Sequence, residues 1–144
     1  MTLSTATPAP RLDATAADQA ALLLRVAMGV LFVAHAWMKI AIFTPAGTAQ
    51  YFASIGLPGP LAYPTIAAEL LGGLALIAGL WTRWVSLALV PLMIGVAWFG
   101  HGSAGFFFSN AGGGWEYPAF WTVALIVQAL LGGGAYALDA RTGR

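Results

Sequence analysis

Four ionisable side chains, Arg25, His35, Lys39 and Glu69, stand where a hydrocarbon-compatible sequence should have none. His35 and Lys39 are one helical turn apart inside the apolar run 20–42, and Glu69 lies in the Leu-, Ala- and Gly-rich run 63–80. Charges in segments long enough to cross a bilayer are costly, and they face a protein interior, pair with one another and mark substrate or proton routes. An imidazole, an ammonium and a carboxylate held together could donate hydrogen bonds to a ligand carbonyl and relay protons, which is acid–base chemistry. His35, Lys39 and Glu69 are therefore the candidate catalytic residues. The same groups also suit a structural Lys39–Glu69 ion pair beside a packing histidine, and the i, i+4 spacing of His35 and Lys39 is compatible with both readings.

These residues must be positioned by helices in a membrane. Of 144 residues, 60% are apolar and 8% charged, a balance that a soluble domain of this size could not shield from water. Runs 20–42, 63–80, 84–100 and 117–138 approach the roughly 20 apolar residues that span a bilayer. The expected fold is an all-α integral membrane protein, a four-transmembrane-helix bundle over residues 20–139. A disordered tail, 1–19, precedes it and a short tail, 140–144, follows. Arg11, Arg25, Arg83, Arg141 and Arg144 fall on one side and Lys39 on the other, so the positive-inside bias puts both termini in the cytoplasm. Residues 34–36 resemble a signal-peptide cleavage site, but the apolar run outlasts the roughly 7 to 15 residues of a signal core.

Helical periodicity gathers the polar residues. Arg25, Phe32, His35 and Lys39 share one side of the first helix, Thr65, Glu69, Gly72 and Gly73 one side of the second, and Trp121, Ala124, Gln128 and Gly132 one side of the fourth. His35 and Glu69 fall at similar depth, counted at about 1.5 Å per residue. An outward-opening pocket lined by His35, Lys39, Glu69, His101 and Glu116 follows, with Gln128 deeper and Arg25 beneath, near Asp18 or Asp139. Phe106, Phe107 and Trp115 crowd the connection 101–116, as an aromatic belt or, beside Gly112, Gly113 and Gly114, as a mobile lid. Residues 48–55 read as a short helix laying Tyr51, Phe52 and Ile55 on the membrane surface. A faint duplication, Leu70-Leu71-Gly72-Gly73 against Leu130-Leu131-Gly132-Gly133, suggests two similar hairpins.

Several classes are excluded or demoted. The absence of cysteine removes disulfide relays, thiolate metal sites and iron–sulfur clusters. With a net charge of +1 there is no basic patch, and no nucleic acid partner is expected. His35, Glu69, His101 and Glu116 have suitable donor types for a metal, but their dispersed positions give no ligand spacing.

The stretch Leu24-Arg25-Val26-Ala27-Met28-Gly29 with His35 and Lys39, then Phe52-Ala53-Ser54-Ile55-Gly56-Leu57-Pro58, resembles the opening of DoxX family membrane proteins. The resemblance continues through Glu69-Leu70-Leu71-Gly72-Gly73, Gly79-Leu80-Trp81-Thr82-Arg83, His101-Gly102 and Gly112-Gly113-Gly114-Trp115-Glu116-Tyr117, to Leu138-Asp139. It implies a four-helix membrane bundle of the bacterial inner membrane associated with redox systems. Relatives are described as subunits of thiosulfate:quinone oxidoreductases or as partners in complexes for oxidative stress and thiol balance.

Together these readings lead to the expectation of a quinone-linked oxidoreductase or its quinone-binding subunit. His35 or Lys39 would donate to a quinone oxygen, Glu69 would relay protons, and Phe106, Phe107 and Trp115 would enclose the ring or tail, with Gln128 and Arg25 as further binding residues. Electrons would come from an extracytoplasmic redox partner. The alternative is a non-catalytic assembly or anchoring subunit, and a small-anion transporter using Arg25 and Lys39 ranks below both. Gly72 and Gly73 would also suit a homodimer seam.

Overall fold

A sequence dominated by Ala, Leu and Val, strong helix formers or apolar residues tolerated in a lipid-facing helix, carries the first helix to a bilayer-spanning length. The computed structural model of the chain describes residues 14–142, and these are helical or turn throughout, with no strand. Helix α1 spans Ala14–Trp37 and continues as a π-helical turn, Met38–Ile42. Its start corrects the expected irregular tail for residues 14–19; the rest of that tail lies outside the described residues.

Helix α2, Pro45–Ser54, is opened by proline at its first position and by the Thr44 hydroxyl, which accepts the Gly47 N–H at 3.1 Å. A 3-10 turn, Gly59–Leu61, leads into α3, Ala62–Ala78. Gly79 stops α3 in the left-handed conformation, φ 75°, and its N–H closes on the Ala75 and Leu76 carbonyls. Helix α4, Thr82–Gly95, also ends in a π turn, Val96–Gly100.

Helix α5 spans Glu116–Leu131, and a last short helix, α6, spans Leu138–Thr142. The expected run to residue 138 stops early because Gly132 and Gly134 adopt positive φ, 77° and 71°. The apparent duplication fails at the same place: Gly72 and Gly73 lie within α3, whereas Gly132 ends α5.

Helix α1 packs chiefly along α3 and α4 along α5, while α3 against α4 and α1 against α5 complete the arrangement. Met28, Phe32, Leu76, Leu89, Met93 and Leu125 form its core. Three helical stretches are long and apolar enough to cross a membrane: Ala14–Ile42, Gly59–Ala78 and Thr82–Gly100. The fourth, α5, has 16 residues, about 24 Å at 1.5 Å per residue.

Without a hydrophobic drive between helices in lipid, small residues set how closely they approach. A Cβ on Gly29 would lie 2.6 Å from the Gly73 carbonyl oxygen and 2.7 Å from Ile77 Cγ1, and one on Gly73 would lie 2.8 Å from the Gly29 oxygen. The backbones of α1 and α3 therefore touch at this crossing. Gly73 is consumed inside the chain, and Gly72 faces Leu89 of α4, so neither is open to form the dimer seam expected for them.

Gly29→Ala should lower stability by about 1–3 kcal/mol through forced separation of α1 from α3. Gly95→Ala, where an added Cβ meets nothing within 4 Å, should be neutral or stabilising by up to about 1 kcal/mol. Unfolding of the two variants in detergent, followed by circular dichroism, measures the contrast.

Candidate functional site

Glu69 lies one helical turn from Gly73 on α3, so the close α1–α3 crossing holds its carboxylate near α1. Lys39, in the π turn at the end of α1, places its Nζ 2.8 Å from Glu69 Oε1 and 2.9 Å from Oε2. The Glu69 side chain is 3% exposed and that of Lys39 16%. This is a buried, two-point ion pair joining α1 to α3. Removing either partner would leave the other charge uncompensated in a largely buried position.

His35 stands one turn before Lys39. Its Nδ1 is 2.8 Å from the Leu31 carbonyl oxygen. A carbonyl only accepts, so Nδ1 carries the hydrogen and, in the neutral ring, Nε2 presents a lone pair. The imidazole meets Trp121 of α5 edge to face, with centroids 5.2 Å apart, and Trp121 also packs against Phe32 at 4.8 Å and Tyr117 at 5.8 Å. The Trp121 indole N–H is buried without a hydrogen-bond partner among the described residues.

These groups line one cavity of about 970 Å³, to which His35, Lys39, Glu69 and His101 all contribute. Its aromatic wall is Phe32, Tyr51, Phe52, Phe99, Tyr117 and Trp121. Helix α2 therefore does more than rest on a surface: Tyr51, Phe52 and Ile55 close the cavity over Lys39 and Glu69. Both π turns border the same space through Lys39 on one side and Val96 and Phe99 on the other; such turns recur at functional sites.

Phe106, Phe107 and Trp115, the expected aromatic enclosure, do not line this cavity. Phe106 instead packs on Phe107 and Trp115, with centroids 5.2 and 4.8 Å apart, and Trp115 borders a separate surface hollow with Ile94 and Trp98. Their loop is tied down by hydrogen bonds, which corrects the mobile-lid expectation. The Trp115 and Glu116 N–H groups bond to the Gly105 and Phe106 carbonyls at 3.0 Å, Glu116 Oε1 accepts the Phe108 N–H at 2.8 Å, and Asn110 Nδ2 donates to Ala104 at 2.8 Å. A Cβ on Gly114 would lie 2.2 Å from the Phe106 oxygen, so only glycine fits where the strands of the loop meet.

The proposed alternative metal set is not assembled. Among the described residues no three His, Asp or Glu side chains converge. Glu69 is engaged by Lys39 and Glu116 by Phe108, while His101 donates through Nδ1 to the Gly113 carbonyl at 2.8 Å.

Gln128 and Arg25 belong to the opposite half of the helices, outside the cavity wall. Gln128 Nε2 donates to the Gly132 carbonyl at 2.7 Å. Arg25, 2% exposed, donates to the carbonyls of Leu76, at 3.0 Å, Ile77 and Tyr136, at 3.0 Å. Leu76 and Ile77 are in the last turn of α3, whose carbonyls have no partner within the helix and mark its negative end. Arg25 is thus a cap for α3. Asp18 and Asp139 accept from the main-chain N–H groups of Ala135 and Trp81.

Comparison with known proteins agrees with the membrane setting. The model of the DoxX family matches residues 20–102. "Putative oxidoreductase CatD" of Bacillus subtilis is 43% identical over 74 residues, 51% of this chain and 54% of that protein, so the chain spans about half the length of that relative. "Inner membrane protein YqjF" of Escherichia coli is 30% identical over 124 residues, 85% of this chain and 91% of that protein. No solved structure matches.

Removing one partner of the ion pair leaves an uncompensated charge. Lys39→Met or Glu69→Met alone should therefore cost about 3–5 kcal/mol, whereas the double Met variant should recover most of that loss. A double-mutant cycle on unfolding in detergent measures the coupling.

Proposed function

The chain belongs to the DoxX family and is a multi-pass protein of the bacterial inner membrane, and from that premise we propose that it is a quinone-linked redox protein, either an oxidoreductase or the quinone-binding subunit of one. The observation that carries this reading is the joining of His35, Lys39 and Glu69 to a large, aromatic-walled cavity. The proposed topology has four crossings, α1, α3, α4 and α5, with both termini cytoplasmic and the cavity in the outward half. The printed name of the B. subtilis relative, an oxidoreductase, supports the redox class.

The fit to a quinone head rests on the donors and the shape. When bound, a quinone supplies a carrier for two electrons and two protons. Lys39 has three ammonium hydrogens and directs two at Glu69, leaving one for a carbonyl oxygen. His35 Nε2 would accept the hydrogen bond of the hydroxyl that reduction forms on the ring, and Glu69 would hold the Lys39 charge in place. Phe32, Phe52 and Phe99 keep water from the ring. Electrons come from a soluble donor on the outer side, since the chain itself has no thiol to carry them.

A second reading, an assembly or anchoring subunit, is favoured by one observation: the Lys39–Glu69 pair is mutually satisfied and ties α1 to α3. Unchanged membrane redox activity in the double Met variant would support it.

The test of the first reading is titration of the purified protein, in lipid nanodiscs, with a short-chain benzoquinone followed by quenching of tryptophan fluorescence. Saturable binding is expected, and His35→Phe should weaken it about tenfold, or ~1.4 kcal/mol, at unchanged thermal midpoint. Absence of saturable quenching in the unmodified protein would sink the quinone reading.

A further inference from the structure

The charged groups of the cavity are gathered on one side, while Thr48, Tyr51, Thr65, His101 and Tyr117 add isolated polar atoms elsewhere in its lining. His35 and Lys39 of α1, Glu69 of α3 and Trp121 of α5 cluster together, as the 2.8 Å ion pair and the 5.2 Å His35–Trp121 contact require. The wall between α3 and α4 is formed by Leu61, Pro64 and Ala68 on one helix and Ala88, Pro91 and Leu92 on the other. Five of these six, all but the half-buried Leu92, are exposed while also lining the cavity. A residue that is both in the wall and open to the outside stands at a mouth. Deeper in the pair, Gly72 of α3 and Leu89 of α4 are in close contact, with an added Cβ only 3.1 Å from the leucine methyls. Gly72 and Leu89 thus mark the close approach of α3 and α4, and Pro64, Ala68 and Pro91 lie on the cavity side of it while Ala88 flanks it.

This mouth lies within stretches apolar enough to cross a membrane, Gly59–Ala78 and Thr82–Gly100, so it faces lipid. Its rim is built of small or imino-acid side chains, Ala68, Ala88, Pro64 and Pro91, which leave width between the helices. Tyr51 and Phe52 of α2 cover the end of the cavity toward the interface. A volume of about 970 Å³ is at the top of the range for small-molecule sites, roughly 300–1,000 Å³. It accommodates more than one ring.

Resting on the quinone reading above, we infer that the site takes an amphiphile from the bilayer sideways, through the gap between α3 and α4, with its polar ring at Lys39, Glu69 and His35 and a single hydrocarbon or isoprenoid tail lying between Ala68 and Ala88. The ligand class is a membrane-dissolved, tailed quinone. A water-borne substrate does not need this gap. The tail contributes by packing against the small side chains of the gap, since no hydrophobic drive operates within lipid, and the ring supplies orientation through the charged groups.

The experiment uses photoactivatable benzoquinones of two kinds, one with a short alkyl chain and one with a long isoprenoid tail, presented to the full chain in phosphatidylcholine vesicles. Narrowing the gap with Ala68→Phe and Ala88→Phe together should reduce labelling by the long-tailed probe roughly tenfold or more and leave short-chain labelling within about twofold. Leu71→Phe, at a lipid-facing position of α3 that is 65% exposed, should change neither, and thermal midpoints in detergent identify any variant that is merely unfolded. Equal long-tail labelling in the gap variant and the unmodified chain overturns lateral access. Parallel loss of both probes in a folded gap variant also overturns it, because the substitutions would then have filled the ring chamber. Failure of the unmodified chain to be labelled by either probe overturns the quinone reading itself.

Discussion

A carboxylate buried in a helix apolar enough to cross a membrane needs a partner, and Glu69 has one in Lys39, which reaches it from the neighbouring helix. That requirement constrains much of the chain. It needs α1 and α3 close together, which the Gly29–Gly73 contact provides. It needs Lys39 turned toward α3, and the residue sits in a π turn rather than a regular helical one. It also leaves His35, one turn earlier, facing Trp121 and the cavity. A charged wall, a mostly apolar remainder and an aromatic cover all follow from where this one pair is anchored.

The opposite half of the molecule solves the same problem with different partners. Arg25 is held by main-chain carbonyls in the last turn of α3 and by that of Tyr136, beyond α5. A guanidinium with five donors in a rigid fork suits several carbonyls at once. The chain thus closes one end of its helices with an arginine cap and uses the other for a chamber, with the core of Met28, Phe32, Leu76, Leu89, Met93 and Leu125 between them.

Much of this could be read from residue types. Apolar length locates three spans, and the need of Glu69 for a partner points to Lys39 at matching depth. The π turns could not be anticipated, because an extra residue in one turn leaves no compositional trace. The end of α5 could: Gly132, Gly133 and Gly134 are stop signals, but the apolar residues to Leu138 were given more weight. Phe106, Phe107 and Trp115 misled for another reason. Aromatic composition cannot distinguish a cavity wall from a cluster packed on itself, and here the decision rests on the fit of Gly114 against the Phe106 carbonyl and on the Glu116 cap at Phe108. Two of the aromatics that do line the cavity, Tyr51 and Phe52, sit on a short helix bounded by the turns at Thr44 and Gly59.

The length of α5 has a consequence for the surrounding lipid. As a fourth crossing, its 16 residues provide about 24 Å of helix against a hydrocarbon layer of about 30 Å. The residual mismatch is relieved by local thinning of the bilayer or by interfacial anchoring of the flanking residues, at fractions of a kcal/mol per ångström. Tyr117 at one end and Tyr136 beyond the other, each about half exposed, are suitable anchors. Under the proposed four-crossing topology, the annulus on the α5 side is pinched relative to that around the 29-residue stretch containing α1, giving the protein an uneven collar and a preference for thinner membrane.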